Sequence, residues 1–357
     1  MIRELWEDEI RGEGFGESKF KLYESNEGLR EDDANPYFVV WLHGMHCGMI
    51  GPKDLKTMQW RLQRRVIFMV PLSPRPCDGL SFNWGCAFTK QQNKKLLEIL
   101  LRKSAAEFAE EGSWSKVGHT KVLRVRSELG FVFGHLHYNF LNALTEKINE
   151  LSSEFNAERI IAMGYSMGGF GAIQLGCFAP ELFDAVVSVA GYGMGTSEPN
   201  SGYGAPQPVS GEIFDLFLER EACKLARVPV VLAVHAPSDM CSSFRDVSAI
   251  IQKTQETAWD TWERSTAKLV RVPDGMANSD HPGKKRKSNH GYFNCTLLHN
   301  GSEKMLWREL RRLVDRAPQR GGDSMDWEPE RGWGRSRRWS RMYEDPPNSR
   351  SWGWCPT

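Results

Sequence analysis

The sequence predicts an α/β fold, a mostly parallel sheet with helices on both faces. Short apolar runs recur six times along the chain, five of them too uniformly hydrophobic to face water. Between them lie stretches whose apolar residues repeat every three or four positions, the signature of helices with one buried stripe. One junction between the two kinds of segment holds a serine set among glycines, IIAMGYSMGGFGAIQLG at 160–176.

The apolar runs come in order. PYFVVWLHG (36–44), RVIFMVPLSPRP (65–76), RIIAMGYS (159–166), DAVVSVAGYG (184–193) and VPVVLAVHAP (228–237) are rich in β-branched and aromatic residues. Such runs are expected as strands covered on both faces. TAKLVRVP (266–273) is the most polar of the six, as an edge strand should be. KFKLYE (19–24) alternates and offers a further edge strand. Helices are expected over 93–111, 137–155, 167–180, 244–262 and 302–315. One domain is therefore expected over 36–316, after an N-terminal extension of residues 1–35. Residues 112–134 fit no crossover of ordinary length and read as a possible cap insertion over the carboxyl edge of the sheet. Residues 317–357 carry Arg, Gly, Pro and Trp but almost no aliphatic side chain, and are expected to be a disordered tail.

Bulk properties exclude several function classes. Of 357 residues, 46 are Lys or Arg and 45 are Asp or Glu, so a net charge of +1 sets up no whole-molecule field for nucleic acid or an anionic membrane. No run approaches the ~18 apolar residues of a spanning helix. The N-terminus MIRELWEDEIRGEG is charged from its third residue and lacks the apolar centre of a secretory signal, so a cytoplasmic protein is expected. The eight cysteines form no CxxC pair and no zinc-ligand spacing. Reduced thiols are expected, with pairing of Cys77 and Cys86 left open, and neither a metal nor a cofactor is implied.

The serine junction is where chemistry enters. Gly164-Tyr165-Ser166-Met167-Gly168 is a G-x-S-x-G pattern between an expected strand and an expected helix. A sharp turn there would lift the Ser166 hydroxyl above the sheet edge, and a side chain at Gly164 or Gly168 would strike the neighbouring backbone. The helix N-terminus would aim free N–H groups at a reacting oxygen. With its context, GYSMGGFGA resembles the nucleophile elbow of the α/β-hydrolase superfamily, in its esterase and peptidase-like branches, and the likeness spans about 36–316.

That resemblance implies a triad in the order Ser, acid, His. VVLAVHAPSDMCSSF is similar to the family's V-x-H-G-x-x-D-x-x-V-P stretch, which gives Asp239 the acid position. Ala236 stands for the usual glycine and Cys241-Ser242 for Val-Pro. Asp239 could instead cap the helix beginning near Ser243, and Glu198 is a second candidate acid. NHGYF resembles the family's H-G-x-F signature and makes His290 the implied base, with His281 as the alternative. WLHGMHCG (41–48) resembles the loop that supplies one oxyanion N–H, here Met45, the other being Met167. His43 and His46 in that loop lack the further ligands a metal site needs and are expected to order it.

The implied activity is a serine hydrolase cleaving carboxylic esters or thioesters of small molecules through an acyl-enzyme. A peptidase or amidase on the same fold, or a non-catalytic binding protein, is the alternative. Phe82, Trp84 and Tyr192 are candidate substrate-binding residues after the second and fourth runs. KKRK (284–287) reads as a solvated run, a nuclear-import patch or an anchor for an acidic substrate group. The arginines and tryptophans of the tail could stack on single-stranded nucleic acid, against the plainer reading of a solvated segment.

Overall fold

A computed structural model describes residues 2–12, 16–25, 35–44, 50–72, 114–117, 120–123, 135–191, 211–239, 242–261, 265–272 and 303–317. In chain order the strands are β1 (Ile2–Gly12), β2 (Gly16–Ser25), β3 (Tyr37–Leu42), β4 (Val66–Pro71), β5 (Trp114–Val117), β6 (Thr120–Leu123), β7 (Arg159–Tyr165), β8 (Ala185–Val189), β9 (Val230–His235) and β10 (Thr266–Arg271). The helices are α1 (Pro52–Leu62), α2 (His135–Glu154), α3 (Met167–Phe178), α4 (Gly211–Arg220), α5 (Phe244–Thr261) and α6 (Glu303–Arg316).

Eight strands make one sheet in the order β1-β2-β4-β3-β7-β8-β9-β10. From β4 to β10 all pairings are parallel, while β1 and β2 join antiparallel at one end. The continuous apolar runs explain the centre. Every residue of β3, β4, β8 and β9 is buried, because helices cover both sheet faces. β10 is the other edge, and of its six residues only Ala267 is buried, in keeping with its polar sequence.

Two apolar layers hold the helices. On one face α2, α3, α4 and α5 pack Leu144, Phe170, Phe217 and Ile250 against Val40, Ala162, Val186 and Val231. On the other, α1 and α6 pack Leu55, Met58, Trp307 and Leu310 against Trp41, Met163, Val187 and Val234. At the amino edge of the sheet, Asp184 accepts the Ile160 N–H at 2.7 Å and pairs with buried Arg159 at 3.3 Å. Arg159 also donates to the Ala317 carbonyl at 2.8 Å, and the Tyr37 hydroxyl donates to Asp315 at 2.7 Å, which pins the end of α6 to β3 and β7.

Three expectations change. Within residues 1–35, expected to be an extension, β1 and β2 belong to the sheet. KFKLYE lies in β2 and is not the edge, because β1 pairs along its outer side. α1 precedes the first expected helix, and α4 falls between two of them. α1 has Pro at its first position, Asp54 in its first turn, Arg61 in its last and a left-handed residue, Gln63, at its end. Only Leu55, Met58 and Leu62 carry its apolar stripe, so PKDLKTMQWRL reads as polar throughout. The described part of 112–134 is the separate hairpin β5–β6, which touches α2. The helix expected over 93–111 and the tail from 318 onward lie outside the described residues.

Candidate active site

The strand order fixes where a site can form. β4 lies on one side of β3, and β7, β8, β9 and β10 follow on the other. The winding therefore reverses between β3 and β7. At such a reversal the helix after one strand leaves to one face and the helix after its neighbour to the other, opening a crevice at the carboxyl ends. α1 follows β3 and α3 follows β7, and they lie on opposite faces. Residues after Leu42 and after Tyr165 border that crevice.

Ser166 stands there, between the end of β7 and the first residue of α3, with φ 56° and ψ −117°. This is left-handed territory that costs a serine about 1–3 kcal/mol and persists only where its surroundings hold it there. They do. Its N–H donates to the Val189 carbonyl at 2.8 Å, and its own carbonyl accepts from Phe170 at 3.2 Å, opening the helix. The flanking glycines let strand and helix close to backbone contact. A Cβ on Gly164 would run into the Gly168 carbonyl, and one on Gly168 into the Leu42 carbonyl. Met167, the next residue, is buried in the α3-side layer.

The end of β3 is shaped by His43. Its ring is buried and its Nδ1 lies 2.8 Å from the Gly44 carbonyl oxygen. A carbonyl only accepts, so Nδ1 carries the proton. Burial holds the His43 pKa below its usual value, with the Gly44 bond opposing.

Asp239 follows β9 across the turn 236–238 and is 7% exposed. β7 and β9 flank β8, so Ser166 and Asp239 leave the same sheet edge two strand spacings apart, roughly 10 Å at the backbone. Asp239 does not cap α5: the Ser243 hydroxyl does, accepting the Asp246 N–H at 3.2 Å. The Asp239 carboxylate accepts the Ser242 N–H at 3.0 Å, and the Ser242 hydroxyl donates to the Ala190 carbonyl at 2.8 Å. Ser242 thus ties the Asp239 turn to the end of β8. In the sequence this residue stood out only as a departure from proline, and its two buried hydrogen bonds had no signal in the chain.

Strand order, the reversal between β3 and β7, and a left-handed serine at the β7–α3 turn together decide the architecture. The fold is that of an α/β hydrolase. No family model matches the chain, and no curated protein matches it. Solved structures similar to it include a thermostable esterase, at 15% identity and TM-score 0.47 over 85% of this chain and 62% of that one. An S-formylglutathione hydrolase from Agrobacterium tumefaciens is similar at 16% identity and TM-score 0.44, over 88% of this chain and 99% of that one. A prolyl endopeptidase is similar at 12% identity and TM-score 0.43, over 76% of this chain and 34% of that one. The chain thus spans less than two thirds of the esterase and about a third of the endopeptidase. At such identities none of the three carries a substrate or a residue across.

On this α/β-hydrolase fold the described structure brings Ser166, Met167, His43 and Asp239 to one sheet edge. Met45, His290, His281, Glu198, Phe82, Trp84 and Tyr192 lie outside the described residues, as do Cys77, Cys86 and the KKRK run. Among the described residues no group of three or more His, Cys, Asp or Glu could hold a metal ion. No described helix is long and apolar enough to cross a membrane.

Proposed function

We propose that this protein is a serine hydrolase acting on carboxylic esters or thioesters, with Ser166 as nucleophile, His290 as base and Asp239 as acid. The observation that carries the reading is the conformation of Ser166. A non-glycine residue held at φ 56° between two glycines in backbone contact is strain stored at one hydroxyl-bearing position. A plain turn would place glycine there.

In this reading Ser166 Oγ attacks the carbonyl carbon of the substrate and its proton passes to His290. The carbonyl oxygen becomes the oxyanion and is met by the N–H groups of Met167 and Met45. Collapse breaks the bond to the alcohol or thiol, which takes the proton from His290, and water then releases the acid by the same route. The roughly 10 Å between the strand ends that lead to Ser166 and to Asp239 leaves room for an imidazole between them. Asp239 would hold the ring in one tautomer, and Ser242 would hold Asp239. Phe82, Trp84 and Tyr192 are assigned to the acyl pocket, and 112–134 to a cap.

A fluorophosphonate probe tests this directly. Wild-type protein should be labelled on the peptide containing Ser166, while Ser166→Ala should not be labelled, and His290→Ala and Asp239→Asn should be labelled far more slowly. A folded protein that resists the probe would turn attention to a binding role. Turnover of amides at rates matching esters would replace the esterase reading with the peptidase one.

A further inference from the structure

The net charge of +1 hides a strong asymmetry between the two helical layers. α1 with its closing turn (52–64) and α6 (Glu303–Arg316) carry nine Lys or Arg against four Asp or Glu. On the opposite face α2, α4 and α5 carry four Lys or Arg against nine Asp or Glu, and α3 has none of either. Among the described helices, those on one sheet face are thus basic and those on the other acidic by equal amounts. The basic layer is continuous, because Arg311 bonds Gln63 and Arg64 pairs with Asp315 between α6 and the end of α1. Lys53, Lys56, Arg64, Arg308, Arg312 and Arg316 are all exposed on it. In their midst Trp60 is 60% exposed, with the Arg61 guanidinium 4.8 Å from its ring centre.

We propose that the α1–α6 face docks this protein on an anionic lipid bilayer. Basic side chains near such a surface are attracted within about a Debye length, ~8 Å in physiological salt. An exposed tryptophan beside them suits the boundary between headgroups and acyl chains, where an amphipathic ring is favoured. A nucleic acid fits less well. Its bases need open aromatic faces in series, whereas among the described residues this face offers one exposed ring and Arg61 already lies over it. The acidic layer behind would be repelled, so only one orientation is favoured.

Docking of this kind sets the geometry of the sheet edge. α1 starts at the carboxyl end of β3, so Lys53 and Lys56 flank the edge that carries Ser166. The bound protein holds that edge beside the bilayer, within reach of amphiphiles in the headgroup layer. The docking itself does not depend on the hydrolase reading and is measured separately from it.

The test is sedimentation of the full chain with vesicles of phosphatidylcholine containing about 30% phosphatidylserine, against pure phosphatidylcholine. Binding should require the anionic lipid and weaken with salt. Lys53→Glu with Lys56→Glu should lower the partition coefficient at least about tenfold. Acidic residues early in a helix favour its dipole, so α1 should stay folded. Arg245→Glu with Lys253→Glu makes the same charge change on α5, across the sheet, and should leave binding unaltered. Trp60→Ala should weaken binding, and Trp259→Ala on α5 should not. Fluorophosphonate labelling in solution should be the same for all these variants. Equal losses in both charge-reversed pairs, retention in both, absence of wild-type binding, or binding to an RNA oligonucleotide in place of vesicles would each overturn the proposal.

Discussion

Gly168 rides on the end of β3: a Cβ there would overlap the Leu42 carbonyl oxygen and come within 2.6 Å of the His43 carbonyl oxygen. The first turn of α3 and the last residues of β3 are therefore fitted backbone to backbone. Both groups are held by sheet and helix hydrogen bonds, and neither can swing aside as a side chain could.

Gly168→Ala, and likewise Gly164→Ala, whose Cβ would meet the Gly168 carbonyl, should each destabilise the fold by about 3 kcal/mol or more. Urea unfolding is the measurement. A loss under about 1 kcal/mol would mean that β3 and α3 can separate cheaply.

Ser166→Gly should act in the opposite sense. Glycine adopts φ 56° without strain, so the variant should gain about 1 kcal/mol of stability while losing probe labelling altogether. Ser166→Ala keeps the strain and should melt close to wild type. Equal stability of all three would show that the turn stores no strain.

Asp184→Asn removes the charge facing Arg159 in the amino-edge cluster, where both side chains are at most 3% exposed. Breaking a buried pair by neutralising one partner costs about 3–5 kcal/mol. The site lies at the other end of the strands, so labelling of the folded fraction at Ser166 should keep its wild-type rate. Denaturation and labelling on the same samples separate the two effects.

His43 should make stability depend on pH. Burial lowers its pKa in the folded state, so below the unfolded value of about 6.5 the unfolded chain binds the extra proton and the folded one resists it. The stabilisation is therefore complete above that pH and is lost as pH falls beneath it. At pH 5.5 the loss should reach up to about 1.4 kcal/mol, and His43→Gln should not show it. Urea titrations at pH 7.5 and 5.5 on both proteins test this. A parallel fall in both would assign the pH effect to other groups.

Most of the sheet was legible in the chain because strands buried on both faces leave an unambiguous mark. PYFVVWL and VVLAVH have no polar side to confuse with a helix. α1 and the β1–β2 pair were harder for the same physical reason. Each buries one narrow stripe and shows charge elsewhere, as in IRELWEDEIRG, so local polarity outweighs periodicity. The serine turn was readable because two glycines and a serine at fixed spacing have few other reasons to sit between strand and helix. Ser242 was not, since its hydroxyl bonds a carbonyl 52 residues away.

By itself, then, the sequence determined the α/β class, the central strands and the turn that holds Ser166, all features encoded by neighbours within one or two elements. Tertiary structure alone decided which strands adjoin, that the winding reverses between β3 and β7, and that Asp239 leaves the same edge as Ser166. It also decided that the described helices of a near-neutral chain divide into a basic set on one sheet face and an acidic set on the other. Composition sums charge along the chain, whereas partners meet it as the fold distributes it over a surface.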